Sequence, residues 1–155
     1  MPRKVGVLNC TNTARDISCP AVSCLESVRT GSGPFARYQN QGGAELVGII
    51  SCDGCPTLVA PERILGKVHS LVAAGAESIH LSSCMMAACP FKAKYARIIR
   101  EAYPKVEVVE GTHVHPVVTP EMFAQSLKQM LTQPETSMAN ALEELAKMAP
   151  PAARS

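Results

Sequence analysis

The stretch Glu45-Leu46-Val47-Gly48-Ile49-Ile50-Ser51-Cys52-Asp53-Gly54-Cys55-Pro56 decides how this chain is read. Its first seven residues form an apolar, β-branched run of strand length, which breaks at once into a turn of cysteine, glycine and proline. Three other segments repeat the pattern. Lys4 to Asn9 is a first strand that gives way to a polar loop, Cys10-Thr11-Asn12-Thr13. Ser78 to Ser82 is a third strand and ends in Ser83 and Cys84, and Val106 to Val109 is a fourth that runs into Gly111-Thr112-His113-Val114-His115. Each strand is followed by a turn that carries thiol or imidazole groups.

The segments between the strands read as helices. Ser18 and Pro20 mark a helix start, and the helix over Cys19 to Arg29 stops at Gly31. Residues 31–43, holding Phe35 and Tyr38, read as a linker. Pro61 fits the first turn of a helix on which Ile64, Leu65, Val68, Leu71 and Val72 share a face until Gly75. After Cys89-Pro90 a helix carries Phe91, Tyr95, Ile98, Ile99 and Ala102 on one face and ends at Pro104. Thr119 and Pro120 open another, with Phe123, Leu127, Met130 and Leu131 inward. Strands alternating with helices of this length predict an α/β fold, a three-layer α/β/α sandwich with a flavodoxin-like parallel sheet. The α/β domain is expected over residues 1–131. A C-terminal helical extension follows over 132–155, ending in a frayed tail. The extension's stripe of Met138, Leu142 and Leu145 docks on its own domain or supplies a homodimer contact.

Composition narrows the function classes. A chain of 155 residues with 46% hydrophobic residues has material for one ordinary core. The net charge is only +2, and Lys92, Lys94, Arg97 and Arg100 lie on a helix whose other face is apolar, so they read as a solvated face and no nucleic-acid partner is expected. No run reaches the ~20 apolar residues of a membrane span, and no signal-peptide pattern opens the sequence. A cytoplasmic location is expected. In that compartment seven cysteines do not make a disulfide framework, and an odd count argues the same way.

In an open parallel sheet the C-terminal strand ends share one edge. Cys10, Cys19, Cys52, Cys55, Cys84 and Cys89 all lie just past strand ends or in the turns and helix starts that follow, so they are expected to converge there. Two thiolates spaced as Cys52-x-x-Cys55, with Gly54 relieving the turn, chelate one metal ion, and sulfur is the ligand that zinc and iron–sulfur clusters share. Cys89 precedes a helix whose first N–H groups favour a thiolate. His113 and His115 would point the same way from an extended segment and are candidate ligands, with loop histidines bonded to backbone as the alternative. His80 reads as a satisfied core histidine. Cys24 shares a helical stripe with Val28 and reads as readily as a buried hydrophobe.

The order Cys10…Cys19-Pro20…Cys24-Leu25…Phe35-x-x-Tyr38…Gly48-Ile49-Ile50-Ser51-Cys52-Asp53-Gly54-Cys55-Pro56…Gly75-Ala76-Glu77-Ser78-Ile79-His80-Leu81-Ser82-Ser83-Cys84…Cys89-Pro90…Val109-Glu110-Gly111-Thr112-His113 resembles the CGGC-domain family over residues 4–115. That family of small bacterial and archaeal proteins is described as metal-binding on account of its many cysteines and histidines. The resemblance implies a ligand set and leaves the reaction open. One position departs from the name motif. Asp53 stands where the family usually has glycine, which sets a negative charge beside two sulfur ligands and bears on a cluster's potential or the preferred metal.

The residues and the resemblance together predict a metal-binding protein. Its first-choice cofactor is an iron–sulfur cluster and its second choice zinc, held by Cys10, Cys52, Cys55, Cys84 and Cys89, with Cys19, His113 and His115 as further ligands. Electron transfer, metal handling or sensing is the expected role, with a redox protein as partner. A structural zinc finger would want two CxxC-like knuckles, and one is present. The alternative is a dithiol–disulfide oxidoreductase that uses Cys52 and Cys55 between a strand and a helix. A flavin site would use Thr11-Asn12-Thr13, but no glycine follows and the chain has no tryptophan to stack on the ring. A cysteine phosphatase loop would need Cys-x5-Arg, and Arg15 comes one residue early after Cys10. No carboxylate pair or nucleophile–base set accompanies the cysteines.

Overall fold

A computed structural model of the chain describes residues 1–16, 18–54, 60–114, 121, 122 and 125. The chain forms two compact units, Met1–His113 and Val114–Ser155. In the second unit Glu121, Met122 and Gln125 are helical. The expected boundary at residue 131, the extension beyond it, and Phe123, Leu127, Met130 and Leu131 lie outside the described residues.

The first unit is built on four parallel strands, β1 (Arg3–Asn9), β2 (Ala44–Ser51), β3 (Ser78–Leu81) and β4 (Glu107–Glu110), in the order β2-β1-β3-β4. That is the opening order of a flavodoxin-like sheet. On one face α2 (Val22–Thr30) and a 3₁₀ helix (Gly33–Gln41) cover Val5 and Val7, with Val28, Phe35 and Tyr38 buried between the layers. On the other face α3 (Ala60–Ala73) and α5 (Lys92–Ala102) bury Ile64, Val68 and Ile99 against Leu8, Ile79 and Leu81. A sheet covered on both sides explains why its central strands are apolar at successive positions rather than alternating.

Two glycines set how closely α3 approaches. A Cβ on Gly6 would stand 2.7 Å from Leu71 Cδ1, and one on Gly48 would stand 2.8 Å from Leu71 Cδ2. Gly6→Ala and Gly48→Ala should each lower stability by about 1–3 kcal/mol through overpacking. Gly66→Ala, in α3 with nothing within 4 Å of the new methyl, should raise it by about 0.5–1 kcal/mol. Denaturant midpoints of the three variants check both signs.

The pairing of β1 with β2 contains one irregularity. Val5 lies opposite Leu46, but Gly6 lies opposite Gly48, so Val47 is an extra residue in β2. Because side chains alternate with period two, one extra residue reverses the phase of all that follow. Ala44 and Leu46 pack on the α2 side, whereas Val47, Ile50 and Cys52 pack on the α3 side and Ile49 returns to the α2 side. The bulge thus carries Cys52 onto the face occupied by Leu8 and Cys10.

Four segments differ from their sequence reading, one of them the helix expected over Cys19 to Arg29, which begins only at Val22 because Ala21 before it is left-handed. Thr11–Asp16 is a short helix, α1, where a loop was expected; Ala14 N–H donates to the Cys10 carbonyl at 3.0 Å and starts it. Residues 31–43 are no linker, because Pro34 in the first turn and left-handed Gly31 and Gly42 at the ends frame a 3₁₀ helix that buries Phe35 and Tyr38. A further short helix, α4 (Ser83–Ala88), precedes α5, with the Ser82 side chain accepting from Met85 N–H as its cap. As a result Phe91 sits before α5 and is 42% exposed instead of inward.

His80 is a core histidine, as its place inside β3 suggested. Its ring stacks on Phe35 with centroids 4.1 Å apart. The Gly111 carbonyl can only accept, so Nδ1 donates to it at 3.0 Å and Nε2 accepts from the Tyr38 hydroxyl at 3.0 Å. Burial pushes the His80 pKa down to about 4, which keeps the ring neutral.

Candidate functional site

β1 and β2 end side by side at Asn9 and Ser51, and the next residue of each strand is a cysteine. The ladder extends one bond further, with Cys52 N–H donating to the Asn9 carbonyl at 2.9 Å. The side chains of Cys10 and Cys52 hydrogen-bond to each other. Cys10 also caps α1, its sulfur accepting from the Thr13 N–H and hydroxyl. Cys52 Sγ accepts from Thr11 N–H at 3.3 Å and from Gly54 N–H, while the Thr11 hydroxyl donates to the Cys52 carbonyl. Gly54 is left-handed, with φ +84°, and its α-carbon faces Asn12 Oδ1, so the turn after Cys52 selects glycine.

These contacts set the charge on the pair. Cys52 is lowered from 9.0 to about 5, first because Cys10 donates to its sulfur and then through backbone N–H groups, against the opposing effect of burial. Cys10 is pushed up by the same shared hydrogen bond and by burial. The two sulfurs hold one proton between them across the neutral range, a property of the pair rather than of either residue.

A pH dependence of stability follows. Cys52 ionises more easily folded than unfolded, so its contribution is present above its ordinary 9.0 and falls away as pH drops toward about 5. Cys10 is shifted the other way, so its contribution is intact below 9.0 and lost above. Metal-free, reduced protein should therefore gain stability as pH rises from 6.5 to 9.0, a window above the range where His80 contributes. Urea midpoints across that window should rise in the wild type and run flatter in Cys52→Ser.

Asp53 lies close to this pair in sequence, but its charge is countered. Lys67 Nζ stands 2.6 Å from Asp53 Oδ1 and also donates to the Ser51 carbonyl at 2.8 Å.

The other predicted ligands are placed elsewhere on the edge. Cys84 lies in α4 with its sulfur 3.0 Å from the Ser82 hydroxyl. Cys89 ends α4 and is buried in the same core as Cys52. Cys19 is exposed, in a loop where Ser18 and Ala21 both adopt positive φ. Cys55 and His115 lie outside the described residues. His113 Nδ1 is 3.5 Å from Cys24 Sγ and 3.2 Å from the Thr112 hydroxyl, which is itself 3.1 Å from Cys24 Sγ. The Ser83 hydroxyl donates to the His113 carbonyl at 2.6 Å and accepts from the N–H groups of Thr112 and His113, which ties this loop to the start of α4.

The sequence reading gathers these residues in one set, and two groups are found. One is the Cys10–Cys52 pair on the α3 face. The other is Cys24 with Thr112 and His113, near enough to Cys84 and Cys19 for their charges to act on Cys24, whose thiol is raised chiefly by burial. Cys24 is buried, as a core residue would be, and touches a candidate ligand as well. No spacing in the chain signals that contact, because it joins α2 to the end of β4 across the layers.

Among the described residues no three histidine, cysteine or acidic side chains stand close enough to hold a metal ion. The donor set present is two adjacent sulfurs, one of them ionised, which suits a thiophilic metal. A third sulfur, Cys55, follows Cys52 by three residues. No described helix is long and apolar enough to cross a membrane.

Comparison with known proteins bears on the same residues. The family model of the CGGC domain matches residues 4–113. An uncharacterized protein of Methanocaldococcus jannaschii is 34% identical over 118 residues, covering 71% of this chain and 86% of the relative.

Proposed function

Because the chain belongs to the CGGC domain family, we propose that it binds metal, holding an iron–sulfur cluster through thiolates at the C-terminal edge of its sheet, with Cys10, Cys52 and Cys55 as ligands. The observation that carries this reading is the placement of Cys10 and Cys52 side by side where β1 and β2 end. A thiol must lose its proton to ligate, and the hydrogen bond from Cys10 favours that loss at Cys52. Cys84, Cys89, Cys19, His113 and His115 are the reserve from which a further ligand comes. A bound cluster supplies one-electron transfer to a redox protein partner in the cytoplasm. The chain's own part is to hold and tune the sulfurs. Thr11 N–H and Gly54 N–H donate to Cys52 Sγ, and hydrogen bonds to ligating sulfur shift a cluster's potential.

Zinc is the second choice, since the same thiolates accept it. Protein purified without oxygen should be coloured, with iron and acid-labile sulfide in comparable amounts. Colourless protein with stoichiometric zinc overturns the cluster and keeps metal binding. Protein with neither, after exposure to each metal, overturns the whole reading.

A further inference from the structure

The dithiol expected from the sequence is Cys52 with Cys55, but the sheet gives Cys52 another neighbour. Asn9 lies opposite Ser51 in the β1–β2 register, and the hydrogen bond from Cys52 N–H to the Asn9 carbonyl continues the ladder past them. Cys10 and Cys52 form the next rung. Neighbouring strands run about 4.8 Å apart, which puts the two α-carbons at a separation of that order. A disulfide spans α-carbons about 4.4–6.8 Å apart. The second requirement is that both side chains leave the sheet on one side. They do so because of Val47, whose insertion turns Cys52 to the α3 face where Cys10 packs. The two sulfurs are already in hydrogen-bond contact, and no described cysteine is engaged in a disulfide.

We propose that Cys10 and Cys52 are a redox couple that closes a reversible disulfide between β1 and β2 by exchange with a small-molecule disulfide. This chemistry goes beyond metal binding and uses the same sulfurs when no metal occupies them. Cys52 is 7% exposed and Cys10 more open, so Cys10 meets the incoming reagent R–S–S–R. Cys52 Sγ takes the proton of Cys10 as Cys10 Sγ attacks one sulfur of the reagent. The bond Cys10–S–S–R forms, the reagent's own S–S bond breaks and RS⁻ departs. RS⁻ takes the proton from Cys52. Cys52 Sγ then attacks Cys10 Sγ, the mixed disulfide breaks, and a second RS⁻ leaves and is protonated by water. The protein has lost two electrons, and one disulfide has become two thiols. The strands need little movement, because the bond joins residues already adjacent across a ladder.

The test uses the full-length protein, reduced and stripped of metal by chelator, equilibrated without oxygen in buffers of graded reduced and oxidised glutathione. Remaining thiols are alkylated, the protein is digested without reductant, and fragment spectra assign the cross-link. The expected result is a single two-electron transition that joins the Cys10 peptide to Cys52. A Cys52–Cys55 bond, or a Cys10 that stays alkylatable across the whole range, overturns the proposal. In Cys52→Ser, checked for folding by circular dichroism, a glutathione adduct should accumulate on Cys10; an adduct on another cysteine alone overturns the attack by Cys10. Metal titration of the same batch separates the two readings. A cross-link without metal affinity leaves the redox couple standing alone, and metal affinity without a cross-link removes it.

Discussion

Cys52→Ser should weaken metal binding by at least ~100-fold, because it removes a ligand outright, whereas a change behind the ligands already costs 10–100-fold. The variant loses more than one sulfur. In the pair Cys10 is the donor and Cys52 the ionised acceptor, and without Cys52 the remaining sulfur is a thiol whose proton burial retains against the pull of the Thr13 contacts. The cap of α1 persists, since the Cys10 carbonyl still receives Ala14 N–H. Chelator competition on anaerobic protein measures the loss, and circular dichroism shows that it is not unfolding. Cys24→Ser should leave affinity within a few-fold, since Cys24 lies with Thr112 and His113 rather than with the pair. If Cys24→Ser is the more damaging change, the metal sits on the second thiol–imidazole group.

Deleting Val47 should be the most damaging single change to the fold. Without the extra residue β2 has one unbroken alternation, and one half of it must face the wrong way. If the end of the strand keeps its place, Glu45 moves into the position of Leu46 on the α2 side, which brings an unpaired carboxylate into the apolar layer. If the start keeps its place, Ile49 arrives where Gly48 now lies against Leu71, and Cys52 turns away from Cys10. Either route costs on the order of 3–5 kcal/mol, a large part of the 5–15 kcal/mol that holds a typical domain together. Val47→Ala keeps the residue count and removes only side-chain burial, about 1–2 kcal/mol. Thermal unfolding and the Cys10–Cys52 cross-link, measured on both variants, should separate by that difference. A deletion variant as stable as Val47→Ala, and still cross-linking, would remove the bulge from the account.

The contrast between those variants marks what the sequence could convey. Strand positions were legible because buried parallel strands are near-continuous apolar runs, and β1 to β4 fall within a residue or two of where those runs lie. The phase of β2 was not. A run such as Leu46-Val47-Gly48-Ile49-Ile50 is apolar at every position, so it carries no alternation from which an inserted residue could be noticed. The convergence of cysteines on one edge follows from topology alone, but which thiol meets which depends on that phase. Thr11-Asn12-Thr13 has poor helix propensity, and α1 forms against Cys10, whose sulfur accepts from Thr13 and whose carbonyl accepts from Ala14 N–H. The 3₁₀ helix was hidden by its own framing, since Gly31, Pro34 and Gly42 are also what a linker contains.

The ion pair between Asp53 and Lys67 gives the departure from the family's name motif a different meaning. The carboxylate does not act as an added charge beside the sulfurs, because Lys67 stands against it. The two side chains form one ion pair, spread over a turn and a helix. Restoring glycine at 53 alone would leave the Lys67 ammonium with the Ser51 carbonyl as its remaining partner among the described residues. Anyone grafting the motif from one relative to another would have to carry position 67 along with it, or hand the recipient a site of altered charge.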